Sequence, residues 1–237
     1  AAGVETVESG AQRIGERHFP LDDDALNPLL DTDNPFIHST MMMRRDAVDR
    51  VGGYRGAFSA AEDYDLWLRL AETGRVRNLP QKLAHYRMWP GSTTSTQKLK
   101  MDLIADIARR SAQFRRQIGE DPADHLEVEP DFLGDGWHRS PFWPDIFRYR
   151  LRVRFRTART AEDWEIACRE LSGSDALLRP DDRRFLSRVL TERLLSPGLP
   201  VRDRLGLAAQ LVRSGRRKAF TALYRHVAGR SRYAIAD

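Results

Sequence analysis

Ala61-Glu62-Asp63-Tyr64-Asp65-Leu66-Trp67-Leu68-Arg69-Leu70 is the most strongly patterned stretch of the chain. Its carboxylates crowd what would be a first helical turn, and Leu66, Trp67, Leu70 and Ala71 then recur at helical spacing. Acidic groups are favoured there by the exposed N–H groups and the dipole of a helix start. Ser59 to Gly74 therefore reads as a helix closed by Gly74.

Upstream, Arg45 to Val51 reads as a short helix with Gly52 at the left-handed position after it, followed by Gly53-Tyr54-Arg55. Phe36 to Met43 is apolar and β-forming, which predicts a strand, and Asn34-Pro35 breaks whatever precedes it. Asp22-Asp23-Asp24 before Leu26, Leu29 and Leu30 reads as the acidic start of another helix. Residues 1–18, with Val4, Val7, Gly10 and Gly15, suit a hairpin or a strand and turn. Downstream, Val76–Leu79 and Leu83–Tyr86 are strand candidates around Pro80, and residues 90–96 are a loop. Lys98 to Ile118 is an amphipathic helix with Leu99, Leu103, Ile107 and Phe114 near one face. Residues 119–146 form an irregular connection, and 161–172, 182–195, 203–214 and 216–228 look helical.

With 237 residues the chain can bury a sizeable core. Its net charge of +5 is unevenly placed: residues 1–97 hold 11 Lys and Arg against 14 acids (−3), and residues 98–237 hold 28 against 20 (+8). No window approaches the run of about 18 apolar residues that spans a bilayer. No basic segment followed by an apolar one marks a secretory signal. The single cysteine, Cys168, leaves no internal disulfide and suits a reducing, cytoplasmic setting; on its helix it reads as a small buried hydrophobe. The start at Ala1-Ala2-Gly3-Val4, without methionine, suggests a fragment.

Four linked motifs share one order: Asn34-Pro-Phe-Ile-His-Ser-Thr-Met-Met-Met-Arg-Arg45, Gly52-Gly-Tyr-Arg55, Ala61 to Leu70, and Asn78-Leu-Pro80 with His85-Tyr-Arg87. In order and spacing this segment resembles the second half of family 2 inverting glycosyltransferases of the GT-A fold. The resemblance covers roughly residues 1–97. It implies an α/β chain: a partial, Rossmann-like GT-A domain over 1–97 that lacks its N-terminal nucleotide-binding half. Residues 98–146 would then be an amphipathic helix and connection, and 147–237 a basic, mainly helical C-terminal region.

The resemblance also implies roles. Inverting transfer is a direct displacement at the anomeric carbon, and the attacking hydroxyl must lose its proton to a carboxylate within hydrogen-bond reach. Asp63 would be that base and Glu62 would orient it or hold the acceptor; acids in a first turn are equally a routine feature of helix starts. His38, Tyr54, Arg87 and Trp89 are candidate substrate-binding residues. Trp89 stands where many members carry a histidine near the metal and diphosphate, so this half offers no metal ligand; Trp89 would stack on a sugar or a base, or pack in the core. The divalent metal (Mg or Mn) and the Asp-x-Asp motif belong to the missing half, since Asp22–Asp24 heads a polar helix. The partners implied are a nucleotide-sugar donor and a hydroxyl acceptor in polysaccharide or glycoconjugate biosynthesis, with one sugar moved per event.

The second part of the chain supports a rival reading. Phe147, Tyr149, Leu151, Val153 and Phe155 alternate with Arg148, Arg150, Arg152, Arg154 and Arg156. As a strand this gives a strip of arginines suited to anions; as a helix it scatters them. Residues 202–232 hold nine Lys and Arg against Asp203 alone. A non-catalytic module using this region on an anionic membrane surface or nucleic acid is the alternative, with peripheral membrane contact as its main form. Against nucleic acid, the chain has no zinc-finger spacing, no recognisable RNA-binding signature and few aromatics among the C-terminal basic residues.

Overall fold

The computed structural model describes residues 2–8, 13–17, 19–88, 91–92, 96–126, 128, 130–134, 136–158, 160–171 and 175–194. Two compact units divide the chain, Ala1–Asp145 and Ile146–Asp237.

In the first unit β1 (Ala2–Glu8) is the centre of a three-stranded sheet. It pairs antiparallel with β2 (Arg13–Arg17) and parallel with β3 (Leu79–Met88). The expected hairpin forms, and the second strand candidate, Leu83–Tyr86, lies within β3, whereas of Val76–Leu79 only Leu79 is in the strand. Pro80 has no N–H for the ladder, and the register slips there: Ala2 faces Leu79, but Gly3 faces Lys82. The parallel pair is joined through the helices α1 (Asp23–Leu30), α2 (Arg45–Arg50) and α3 (Glu62–Thr73).

Each helix starts where the acids stand. Asp23 and Asp24 open α1, and the Asp23 carboxylate accepts the Val76 N–H at 2.7 Å, so this acidic run serves the helix start and its neighbour. Asn78, buried below β3, donates to the carbonyls of Pro20 (2.9 Å) and Pro35 (3.3 Å) and so ties both proline segments to one point. In α3 every residue from Tyr64 to Arg69 is buried, with Leu66 and Trp67 at 0–1% exposure. A helix covered on all sides lies inside its unit. Helix α4 (Lys98–Ile118) packs on it, buries Leu103, Ile104, Ile107, Ala108 and Ala112, and ends at Gly119 with φ 76°.

The strand expected over Phe36–Met43 does not form. Phe36 N–H bonds to the Asn34 side chain (3.1 Å), and a single 3-10 turn follows over His38–Thr40. The Thr40 hydroxyl bonds back to the Ile37 carbonyl at 2.8 Å. Short polar side chains that bond to nearby backbone compete with a ladder, and here they win. Met42, 94% exposed, takes no part in the core.

In the second unit, residues 147–156 are helical, within α5 (Trp143–Thr157). Phe147, Leu151 and Phe155 bury one face at four-residue spacing. Arg148 and Arg152 share that spacing and reach Asp182, 3% exposed, at 3.5 and 2.7 Å. Arg154 pairs with Glu170 at 2.9 Å. The anion-binding strip therefore does not exist as a face: three of its arginines hold acids of their own unit. Helices α6 (Ala161–Leu171) and α7 (Pro180–Leu194) follow, close to the expected bounds. The Cys168 side chain and the basic segment 202–232 lie outside the described residues.

Candidate active site

The opening of α3 is held by the turn that precedes it. Gly52 and Gly53 both have positive φ, 79° and 66°, conformations in which an L side chain is strained. This double left-handed turn reverses the chain after α2 and presents Tyr54 and Arg55. The turn is fastened to α3 by Arg69, which donates to the carbonyls of Val51 and, at 2.7 Å, Gly53. Asp65, fully buried, accepts from Arg69 Nε (3.0 Å) and Nη2 (2.7 Å). Its remaining capacity is taken by Arg55, through Nε at 3.0 Å and through Nη2. Burial alone would lower the Arg55 pKa, but Asp65 and then Asp121 outweigh it and raise it. Arg55, Asp65 and Arg69 are therefore structural members of the motif.

What they position is a cluster at the start of α3. Tyr54 Oη lies 2.9 Å from His38 Nε2. Partial burial, and then the charges of Asp63 and Glu62, raise the Tyr54 pKa, so its hydroxyl keeps its proton. The His38 ring stands edge-on to Trp67 at 5.8 Å, and Trp67 in turn stands edge-on to Phe36 at 6.3 Å. Asp63 is half-buried; its Oδ1 accepts the Tyr64 N–H at 2.6 Å and its Oδ2 is 3.5 Å from Asn34 Nδ2. Glu62, beside it, is half-buried too.

Four of the residues singled out from the sequence are thus gathered: Glu62, Asp63, Tyr54 and His38. Arg87 pairs with Val7 in the sheet by its backbone; its side chain and the whole of Trp89 lie outside the described residues. Sequence reasoning missed Asn34 and Trp67. Asn34 was visible only as a helix breaker before Pro35, and Trp67 only as a core residue. Among the described residues no group of three or more His, Cys, Asp or Glu is placed to hold a metal ion. The acids of the cluster are Glu62 and Asp63. What the cluster offers is a reachable carboxylate, a protonated phenol and an imidazole around one small surface.

No family model matches the chain, and no solved structure matches it. It is 36% identical over 94 residues to the O-antigen biosynthesis glycosyltransferase WbnJ of Escherichia coli, a match covering 38% of this chain and 36% of that protein. It is 35% identical over 88 residues to the amylovoran biosynthesis glycosyltransferase AmsE of Erwinia amylovora, covering 37% of this chain and 32% of that protein. The chain spans about a third of the length of these two curated relatives, and over that third it is similar to glycosyltransferases.

Proposed function

We propose that this chain supplies the acceptor-binding, base-bearing part of an inverting glycosyltransferase of family 2 and the GT-A fold. In that reading Asp63 takes the proton of the acceptor hydroxyl as it attacks the anomeric carbon of a nucleotide-sugar, and one sugar is transferred with inversion. The observation that carries the reading is the Asp63 carboxylate at the opening of α3, half-buried and near Tyr54, whose hydroxyl meets His38. Asn34 Nδ2 and the Tyr64 N–H fix its orientation, which a general base requires. Tyr54, protonated, and His38 bind the acceptor's neighbouring hydroxyls, and Glu62 holds the acceptor beside the base.

The names of the two relatives, glycosyltransferases of O-antigen and of amylovoran biosynthesis, support sugar transfer in polysaccharide biosynthesis. The acceptor is then a growing polysaccharide or glycoconjugate. Nucleotide-sugar and divalent metal are bound by residues other than those described. No described helix is long and apolar enough to cross a membrane, and we place the reaction on the cytoplasmic side. The non-catalytic alternative loses support where Arg148, Arg152 and Arg154 are engaged by acids.

The test is Asp63→Asn in a protein that also carries the nucleotide-sugar-binding half. Transfer falls by at least about a hundredfold, the usual minimum for a removed general base, while nucleotide-sugar affinity is unchanged. Retained turnover overturns the assignment.

A further inference from the structure

One short segment reaches both halves of the cluster. Asn34 Oδ1 accepts the Phe36 N–H at 3.1 Å, which turns the amide so that Nδ2 faces Asp63. Four residues on, His38 opens the 3-10 turn, its carbonyl taking the Met41 N–H at 3.1 Å. Its Nε2 meets Tyr54 Oη at 2.9 Å. The imidazole packs near two rings, Tyr54 with centroids 5.7 Å apart and the buried Trp67 at 5.8 Å. Its orientation is therefore set by packing as well as by the bond to Tyr54.

A phenol and a neutral imidazole can share a hydrogen bond in two ways. In one, Oη–H donates to Nε2 and the imidazole carries its proton on Nδ1. In the other, Nε2–H donates to Oη and the phenol hydrogen stays free. What surrounds Tyr54 separates the two. The charges of Asp63 and Glu62 act on its hydroxyl. Facing carboxylates, a hydrogen is favoured and a bare lone pair is not. The first arrangement leaves the phenol only lone pairs to turn toward the acids. The second lets it turn its hydrogen there, while Nε2–H satisfies the oxygen.

We infer that His38 is a positioning residue held as the Nε2–H tautomer: it donates to Tyr54 and so aims the Tyr54 O–H at an acceptor oxygen next to the hydroxyl that Asp63 deprotonates. The aim at the acceptor depends on Asp63 being the base; the tautomer does not. Within the pair, His38 acts on the acceptor through Tyr54. The group beside the attacking hydroxyl then has to accept a hydrogen bond. A hydroxyl, ether or carbonyl oxygen does so, whereas an ammonium has donors only and is turned away.

The test is a long-range proton–nitrogen correlation spectrum of the full, isotope-labelled chain at about pH 8, above the ordinary imidazole range. The His38 signals are assigned by their loss in His38→Gln. Nε2 carries the proton in the majority form. In Tyr54→Phe, and in Glu62→Gln/Asp63→Asn, the Nδ1–H fraction rises at least about twofold, the low end for one lost hydrogen bond. A majority with the proton on Nδ1, or a ratio that either variant leaves unchanged, overturns the inference. In the protein with its nucleotide-sugar half, His38→Leu raises the acceptor KM several-fold and leaves kcat and the donor KM alone. His38→Gln, whose amide donates in place of Nε2, restores most of that loss. His38→Leu/Tyr54→Phe is no worse than Tyr54→Phe. Losses that multiply in the double variant would put His38 on the acceptor itself and overturn the positioning role. Turnover retained by Asp63→Asn beside a majority Nε2–H tautomer would instead remove Asp63 as base and leave the wiring of His38 to Tyr54 standing, so the two failures are told apart.

Discussion

Arg69 Nη2 donates to the Gly53 carbonyl at 2.7 Å, and through this bond the middle of α3 fixes the turn that carries Tyr54. The same guanidinium is shared with Asp65, which also binds Arg55 on the far side of that turn. The distance between Tyr54 and the carboxylates at the start of α3 is therefore set by a buried ionic knot and not by either element alone. Each ion in it is expensive to bury and is kept by its partners.

Asp65→Asn leaves Arg69 without its carboxylate and Arg55 with Asp121 and Asp124 alone. Removing one member of a buried pair costs about 3–5 kcal/mol, and urea denaturation of the isolated chain is expected to show a loss of that size. Glu62→Gln, at a half-buried and unpaired-by-arginine position of the same helix turn, should cost well under half as much. Equal losses would show that Asp65 is not the centre of the knot.

The turn itself depends on glycine. Nothing lies within 4 Å of a Cβ built at Gly52 or Gly53, so replacement meets no steric obstacle and the cost is purely that of the backbone. Gly53→Ala is expected to destabilise by about 1–2 kcal/mol, read as a lower denaturation midpoint. Gly74→Ala, at extended φ −164° and with its nearest contact at 3.8 Å, should cost less.

Only part of this was legible in the sequence. The acids and apolar spacing of α3, the length of α4 and the left-handed Gly52 are local signals, and each element formed where they placed it. The segment Phe36–Met43 has strand-forming composition, but its conformation is decided by side-chain bonds from Asn34 and Thr40, which composition does not encode. The alternation in 147–156 fits either period; what decides it is Asp182, some thirty residues on, which needs Arg148 and Arg152 on one side. In the site, Asp63 and Glu62 were visible as a pair. Asn34 stands 29 residues from Asp63, and only the fold brings them together.

Asp121 gives the first unit a pH dependence. Its burial, 3% side-chain exposure, would raise its pKa, but the Ala123 N–H, Arg55 and Arg115 outweigh that and lower it. A carboxyl whose folded pKa is depressed contributes fully above its unfolded value near 3.9. The contribution is lost as pH falls through the lowered folded value. Urea midpoints of the parent and of Asp121→Asn should therefore differ most at pH 7 and converge below about pH 4. A difference independent of pH would mean that the carboxylate's charge is not what holds the end of α4 to Arg55.

Tyr54 separates binding from chemistry. Its hydroxyl contacts His38 at 2.9 Å and keeps its proton because of burial and the neighbouring charges of Asp63 and Glu62. Tyr54→Phe removes one hydrogen bond at an exposed position, so stability should change by less than about 1 kcal/mol. If the hydroxyl holds the acceptor beside Asp63, the same variant in the protein with its nucleotide-sugar half raises the acceptor KM several-fold and leaves the donor KM alone. A fall in kcat at unchanged acceptor KM would instead place Tyr54 in the proton transfer itself. Its raised pKa makes that the less favourable role, because a phenol that holds its proton through neutral pH is a donor to the acceptor and a poor base for it.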